Sequence, residues 1–163
     1  MRAKPKLDLD MRFFSIDGNC YYAVEHEVFK NYFITTCGNV ITRVSGFNGR
    51  AASVRGDSKP RLMSLPQNTN GYAVITIAEG HGRASQHYVH RLVADTFFEL
   101  PDSDYEGNER DQVNHINAVR HDNRVSSLEW NSPSENKKHQ KTLKEINKER
   151  EEMVINDRKK KVA

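Results

Sequence analysis

The stretch QVNHINAVRHDNRVSSLEWNSPSENKKHQ, residues 112–140, decides the fold of this chain of 163 residues. Two short segments with strand-like residues, QVNHI and SLEWN, flank a polar connection of about ten residues. A helix start follows, because Ser132 or Ser134 can cap a helix and Pro133 suits its first turn. Glu135 lies favourably near the positive end of the helix dipole. The stretch therefore predicts a strand, a loop, a second strand and a helix, in this order.

The polar side chains of this unit fall where its first strand and its helix meet. Asn114 and His115 are neighbours on the strand and so point to opposite faces. Asn136 lies in the first turns of the helix, and His139 follows three residues later on the same helix face. Such an arrangement can hold a metal ion between strand and helix. On the residues alone, the two asparagines also suit turn and cap positions, because Asn readily bonds the local backbone.

The segments upstream predict mainly antiparallel strands. NYFITTCGNVITRVSG has β-branched and aromatic runs around a CGN turn. FNGRAASVRGDSKPR then predicts a mobile basic loop, and RLMSLPQNTNGYAVITIAEGHGRASQHYVH alternates strand-like runs with the turns NTNG and EGHG. HRLVADTFF, residues 90–98, has an apolar helical face and predicts a short helix. Residues 13–30 are rich in aromatic residues, and their pattern leaves strand and helix both open.

The composition indicates one modest domain with an appended arm. Hydrophobic residues make up 36% and charged residues 29%, with a formal net charge of +3. No window approaches the roughly 20 apolar residues of a membrane span, and the N-terminus carries charges where a signal peptide would be apolar. We therefore expect no membrane partner and a cytoplasmic location. Cys20 and Cys37 lack the CxxC spacing of a zinc site.

The motifs VNHI, DNRV, LEW and SEN..H occur together and in order within residues 90–139. With them, HRLVADTFF … QVNHINAVRHDNRVSSLEWNSPSENKKH resembles the HNH homing endonucleases of phages, whose nuclease centre is the ββα-metal motif. The upstream NYFITTCGNVITR is similar to the small β module that often precedes this motif. The resemblance implies a phage-encoded, homing-type enzyme that works in the cytoplasm of a bacterial host cell.

The resemblance also implies a fold class and a division of the chain. The class is α+β, with an antiparallel β-rich N-terminal part, then a ββα-metal nuclease motif and a charged C-terminal helix. The expected parts are an N-terminal lead-in (1–30), a β-rich DNA-contacting module (31–89), the HNH motif (90–140) and a basic helical tail (141–163).

Roles for single residues follow from the resemblance. His115 matches the general base, and its near-neutral pKa suits removal of a proton from water. Asn114 and Asn136 match metal ligands, and His139 is a further candidate ligand. A single Mg²⁺ or Mn²⁺ ion on these residues would stabilise the charge that develops when a DNA phosphodiester is hydrolysed, whether the enzyme nicks or cuts both strands.

Ser127 occupies the position where the family typically has the Asn that orients the general base. We assign it a catalytic role, and because its side chain is shorter, we expect reduced activity. The alternative is a weakened or inactive HNH-fold protein that binds DNA, which the neutral ligands also favour. A third hypothesis is a protein-interaction adaptor that uses the C-terminal helix.

Basic residues predict contacts to double-stranded DNA, mostly through its phosphates. Those in or beside the β-rich part are Arg43, Arg50, Arg55, Lys59 and Arg61. Those in the nuclease motif are Arg91, Arg124, Lys137 and Lys138. The sequence leaves the choice between monomer and dimer open.

Overall fold

The structure is a computed structural model that describes residues 4–44, 59–80, 83–99, 102–104 and 106–162. Strands and helices are mixed along the chain, which confirms the predicted α+β class. The elements, in chain order, are β1 (Met11–Ile16), β2 (Asn19–Glu25), β3 (Tyr32–Thr35), β4 (Val40–Thr42), β5 (Arg61–Leu62), β6 (Val74–Gly80), β7 (Arg83–Tyr88), α1 (Val89–Phe97), β8 (Gln112–His115), β9 (Leu128–Asn131) and α2 (Pro133–Val162). A 3₁₀ turn, Val125–Ser127, precedes β9.

The first five strands form one antiparallel sheet in the order β1-β2-β3-β4-β5. Residues 13–30, for which strand and helix were both open, contribute strands, and β2 pairs with β3 across the expected end of the lead-in. The reason is the alternation of apolar residues, since Phe14 and Ile16 lie on one face and are buried. The N-terminal 30 residues thus contribute two strands to this sheet.

The main core lies between this sheet, the β6–β7 hairpin, α1 and β9. Helix α1 directs its apolar face, with Val89, Leu92, Val93 and Phe97, into this core. Trp130 of β9 is 4% exposed and lies in the same cluster. One core therefore joins the β-rich part of the chain to the unit formed by β8, β9 and α2. None of the helices among the described residues is long and apolar enough to span a membrane.

The predicted strand, loop, strand and helix are all present between residues 112 and 140. Strands β8 and β9 pair antiparallel, with Asn114 opposite Glu129 and His115 opposite Leu128. The helix α2 that follows is the part of the unit that carries Asn136 and His139.

Ser132 is the residue that caps α2. Its hydroxyl accepts a hydrogen bond from the backbone N–H of Glu135 at 3.2 Å, and the Glu135 carboxylate accepts one from the backbone N–H of Ser132 at 3.0 Å. This reciprocal pair is a capping box. Ser132 also donates to the Asp104 carboxylate at 2.5 Å, as does Ser134 at 2.9 Å. These bonds hold the pKa of Asp104 well below its usual range.

A bidentate ion pair also connects the acidic loop before β8 to the start of α2. Arg110 donates through Nε and Nη2 to the two carboxylate oxygens of Glu135, at 2.9 and 2.8 Å. Bidentate pairs of this kind fix orientation as well as adding energy. The loop therefore braces the helix end that carries the polar residues of the unit.

We expect Ser132→Ala to lower the free energy of unfolding by about 1–2 kcal/mol, because the helix loses its cap. The substitution also removes a hydrogen-bond donor to Asp104, since Ser132 is fully buried and its hydroxyl donates to that carboxylate. Urea unfolding followed by circular dichroism would measure this. Ser134→Ala is the matched control, since it removes a hydroxyl from the same carboxylate but no cap, and it should cost less. Equal losses in the two variants would contradict the assignment of the cap to Ser132.

Candidate active site

A cleft of about 230 Å³ lies between β8, the loop that follows it and α2. The strand and loop side contributes Val113, Asn114, His115, Ala118 and Arg120, with Tyr72 beside them. Helix α2 contributes Asn136, His139, Gln140, Leu143 and Lys144. The predicted general base and the three predicted ligands therefore line one cleft.

Asn114, on β8, is one of the residues that line this cleft. Its Nδ2 donates to Glu129 Oε1 at 2.9 Å and contacts His139 Nδ1 at 3.1 Å. Asn136, on α2, donates through Nδ2 to Gln112 Oε1 at 2.7 Å. Among the residues that the structure describes, neither asparagine has a hydrogen bond on its Oδ1, so both carbonyl oxygens remain available as ligands.

His115 is buried at the end of β8, with 5% of its surface exposed. Its Nε2 lies 3.5 Å from Asn123 Oδ1, a long contact in which the imidazole N–H faces the amide oxygen. Burial lowers the pKa of His115, while the contact with Asn123 and the charge of Asp122 act in the opposite direction. The imidazole is therefore neutral at neutral pH, which is the form that accepts a proton.

Two aromatic side chains, which the sequence did not indicate as part of a site, pack around His115. The ring of His90 lies 5.2 Å from that of His115, edge to face, and the ring of Tyr72 lies 5.9 Å away. His90 is buried, and this lowers its pKa to about 4. The motif HRLVADTFF contained the signal for His90, but only as the start of a helix.

Ser127 does not contact His115 through the bond that its position suggested. Its hydroxyl donates to Asp122 Oδ2 at 2.9 Å, and Arg124 donates to both oxygens of the same carboxylate, at 2.7 and 2.6 Å. These bonds keep the pKa of Asp122 well below its usual range. The side chain that reaches the imidazole is Asn123, while Ser127 acts on the loop through Asp122.

The turn between β3 and β4 supports the loop from the other side. A Cβ placed on Gly38 would lie 2.6 Å from the backbone C and O atoms of Asn123, and Gly38 has a φ of +83°. The backbone N–H of Val125 donates to the carbonyl of Thr36 at 3.0 Å in the same region. The loop that carries Asn123 is therefore packed against the first sheet with no space for a side chain at residue 38.

The basic residues predicted to bind DNA have different surroundings. Arg124 is bound to Asp122, and Arg91 donates to the carbonyl of Asp111 at 3.3 Å. Lys137 and Lys138 are exposed on the first turns of α2. Of the remaining predicted residues, Lys59 and Arg61 are exposed and Arg43 is half-buried. Arg50 and Arg55 lie outside the described residues.

Arg120 is a basic residue of the cleft that sequence reasoning did not select. Its guanidinium carbon lies 5.2 Å from the centre of the Tyr72 ring, and its Nη1 donates to the carbonyl of Asn70 at 2.8 Å. Stacking and this hydrogen bond fix the group beside His115 while leaving other N–H donors. In the sequence it was one arginine in a polar loop, without a pattern that marked it.

Comparisons with known proteins give sequence relatives and a structural relative, while no family model matches. The chain is 31% identical over 113 residues, 69% of its length, to the uncharacterized HNH endonuclease L247 of Acanthamoeba polyphaga mimivirus. It is 32% identical over 109 residues, 67% of its length, to the uncharacterized HNH endonuclease L245 of the same virus. The alignments cover 24% and 27% of these relatives, so the chain spans about a quarter of their length.

One solved structure with a similar fold is that of the HNH homing endonuclease I-HmuI, which shows DNA binding and cleavage by that protein. The match has a TM-score of 0.52 at 19% sequence identity and covers 74% of this chain and 58% of the other. At this level of identity, the match shows a shared fold.

Proposed function

This chain is related to the HNH endonucleases by sequence and shares the fold of one of them, as its motifs predicted. From this relationship we propose that it hydrolyses phosphodiester bonds of DNA with one divalent metal ion. The observation that supports the proposal most directly is the cleft that unites Asn114, His115 and Asn136. A general base beside oxygen ligands is the combination that metal-assisted phosphodiester hydrolysis requires.

The donors of the cleft fit a hard divalent cation such as Mg²⁺ or Mn²⁺. Asn114 and Asn136 offer amide oxygens, and oxygen is the ligand that these cations prefer. Among the residues that the structure describes, no group of three or more His, Cys, Asp and Glu side chains is placed to hold a metal. Two neutral oxygens bind such an ion weakly, so we infer that a DNA phosphate completes the site.

The residues of the cleft divide the chemistry between them. A bound ion would supply Lewis-acid stabilisation of the charge on the phosphate and the leaving oxygen. His115 accepts the proton of the attacking water through its Nδ1, since its Nε2 faces Asn123. Arg120 and Lys144 line the same cleft and supply positive charge for the phosphate oxygens.

The same geometry supports contact with double-stranded DNA along α2. Lys137 and Lys138 are exposed, and Lys141 lies one turn further along the helix with 80% of its side chain exposed. Phosphate contacts of this kind give affinity that depends on salt and carries little sequence information. Arg124 contributes less than the sequence indicated, because its charge is compensated by Asp122.

The proposals of a homing-type role, a phage origin and a location in a bacterial host rest on the resemblance. A homing-type role is supported by the fold shared with a homing endonuclease. The named relatives come from a virus of amoebae, so a phage origin and a location in the cytoplasm of a bacterial host have their only support in the sequence motifs.

A second function, DNA binding with weak or no cleavage, is favoured by one specific observation. Ser127 is bound to Asp122 and leaves the orientation of His115 to a long contact with Asn123. A general base that is held loosely transfers protons less efficiently, because catalysis depends on precise placement.

The proposed function is tested by incubating supercoiled plasmid with the purified protein and Mg²⁺, Mn²⁺ or EDTA. We expect nicked or linear DNA with either metal and intact plasmid with EDTA, because the cleft has no other Lewis acid. A gel-shift assay on the same plasmid is the companion measurement. Retarded but uncut DNA under all conditions would favour the binding protein, and cleavage in EDTA would refute metal dependence.

A further inference from the structure

The side-chain amide of Asn114 has both of its N–H groups occupied by side chains from two other elements. Glu129, directly opposite on β9, accepts at 2.9 Å, and His139 on α2 lies 3.1 Å away through Nδ1. An amide nitrogen has two hydrogens to donate. Both donors therefore point into the protein, and the remaining atom of the amide is its oxygen.

The carboxylate decides which way the Asn114 amide is turned. An ionised carboxylate only accepts hydrogen bonds, so the Asn114 atom that faces Glu129 must be the nitrogen. The same nitrogen contacts His139, and this requires Nδ1 of that ring to accept and its proton to lie on Nε2. In this arrangement Nδ1 of His139 is not available to a metal, in contrast to the ligand role predicted for His139.

Glu129 is itself held in place. Its Oε1 also accepts from Asn131 Nδ2 at 3.2 Å, and Glu129 is half-buried. Pairing of β8 with β9 fixes the distance between Glu129 and Asn114, while α2 brings in His139. Three elements of the fold therefore converge on one amide group.

We propose that Glu129 and His139 are positioning residues that hold the Asn114 carbonyl oxygen toward the cleft as a ligand for a divalent cation. The inference rests on the proposed function. Without these acceptors the amide can turn over and present N–H groups, which repel a cation. Side chains that orient a metal ligand typically change the metal affinity by about 10–100-fold when they are removed.

The test uses Glu129→Ala, Glu129→Gln and His139→Ala in the full chain. Glu27→Ala is the control for the loss of a carboxylate far from the cleft, since the Glu27 side chain is 83% exposed. Titration of Mn²⁺ onto metal-free protein, followed by electron paramagnetic resonance, should show about a tenfold loss of affinity for the two alanine variants. Glu129→Gln keeps an acceptor oxygen and should recover most of the affinity.

A second readout is independent of metal and of catalysis. In ¹H–¹⁵N spectra of the metal-free protein, the side-chain amide of Asn114 should give two separate, slowly exchanging signals. Glu129→Ala and His139→Ala should each speed the exchange of these protons, while Glu129→Gln should leave them close to wild type. Thermal unfolding of all variants identifies a general loss of structure.

Two outcomes would overturn the proposal directly: wild-type rates of amide exchange in both alanine variants, or equal Mn²⁺ affinity in wild type and Glu129→Ala. A third is a Glu129→Gln variant that is as impaired as Glu129→Ala, because the cause would then be the charge of Glu129 and not the orientation of the amide. Failure of the proposed function is distinguishable, because it would appear as a wild-type protein that neither cuts plasmid nor binds Mn²⁺, while the amide signals still report the orientation of Asn114.

Discussion

His115→Ala should lower the rate of metal-dependent plasmid nicking by about 10²–10⁴-fold, the contribution expected of a general base. The imidazole is the group in the cleft whose pKa, lowered by burial, leaves it neutral and able to accept a proton. Alanine removes this group while Asn114 and Asn136 keep their hydrogen bonds, so DNA binding should change little. Single-turnover nicking rates and gel shifts measured side by side would separate the two effects.

The matched control for this variant is His121→Ala. His121 lies on the same loop but is exposed, so its removal should leave nicking unchanged. Because His115 is buried against His90 and Tyr72, His115→Gln is a second variant that keeps more of the side-chain volume. If either substitution of His115 left the nicking rate at the wild-type value, another residue would be the base.

Gly38→Ala should damage the cleft from outside it. The added methyl group would lie 2.6 Å from the backbone of Asn123, a distance that forces the loop or the turn to move. The positive φ of +83° adds backbone strain of about 1–3 kcal/mol for a residue with a side chain. We expect a loss of stability above this range and a lower nicking rate, because Asn123 contacts His115.

Gly18→Ala separates strain from contact. Gly18 has a similar φ of +78°, but nothing lies within 4 Å of the position of its Cβ. It should therefore cost only the backbone strain, and it should nick plasmid at the wild-type rate. Urea unfolding and nicking assays of both variants make the comparison, and equal effects on both properties would show that the contact between Gly38 and Asn123 has no role.

These expectations reflect how the cleft is built. Its polar side chains lie on β8, β9 and α2, but the loop between the strands is held by the first sheet through Gly38 and Thr36. The start of α2 is held by the acidic loop through Asp104 and Arg110. Substitutions at a distance from the chemistry are thus expected to change the placement of His115 and Asn136.

Positions that depend on local spacing were accessible from the sequence. The placement of Asn114 and His115 on one strand follows from the strand-like residues around them, and the start of α2 follows from a Ser-Pro-Ser-Glu run. The short helix α1 also agrees with its apolar pattern. Such features depend on neighbours a few residues apart, so the residue types are sufficient to predict them.

Residues 13–30, by contrast, left strand and helix both open, because the pairing of β2 with β3 depends on a partner strand that a local pattern does not identify. Residues of the cleft that sequence reasoning missed share this property. His90 and Tyr72 approach His115 from other elements, and Arg120 is fixed by stacking on Tyr72. No spacing along the chain encodes these contacts.

The sequence by itself determined the strand, loop, strand and helix of residues 112–140, the capped start of α2 and the relationship to HNH endonucleases, because each depends on local order and composition. Only the tertiary structure decided that Asn123 and not Ser127 reaches His115, and that Glu129 and His139 turn the amide of Asn114. These outcomes depend on strand register and on packing between distant segments, which bring together side chains that the order of residues keeps apart.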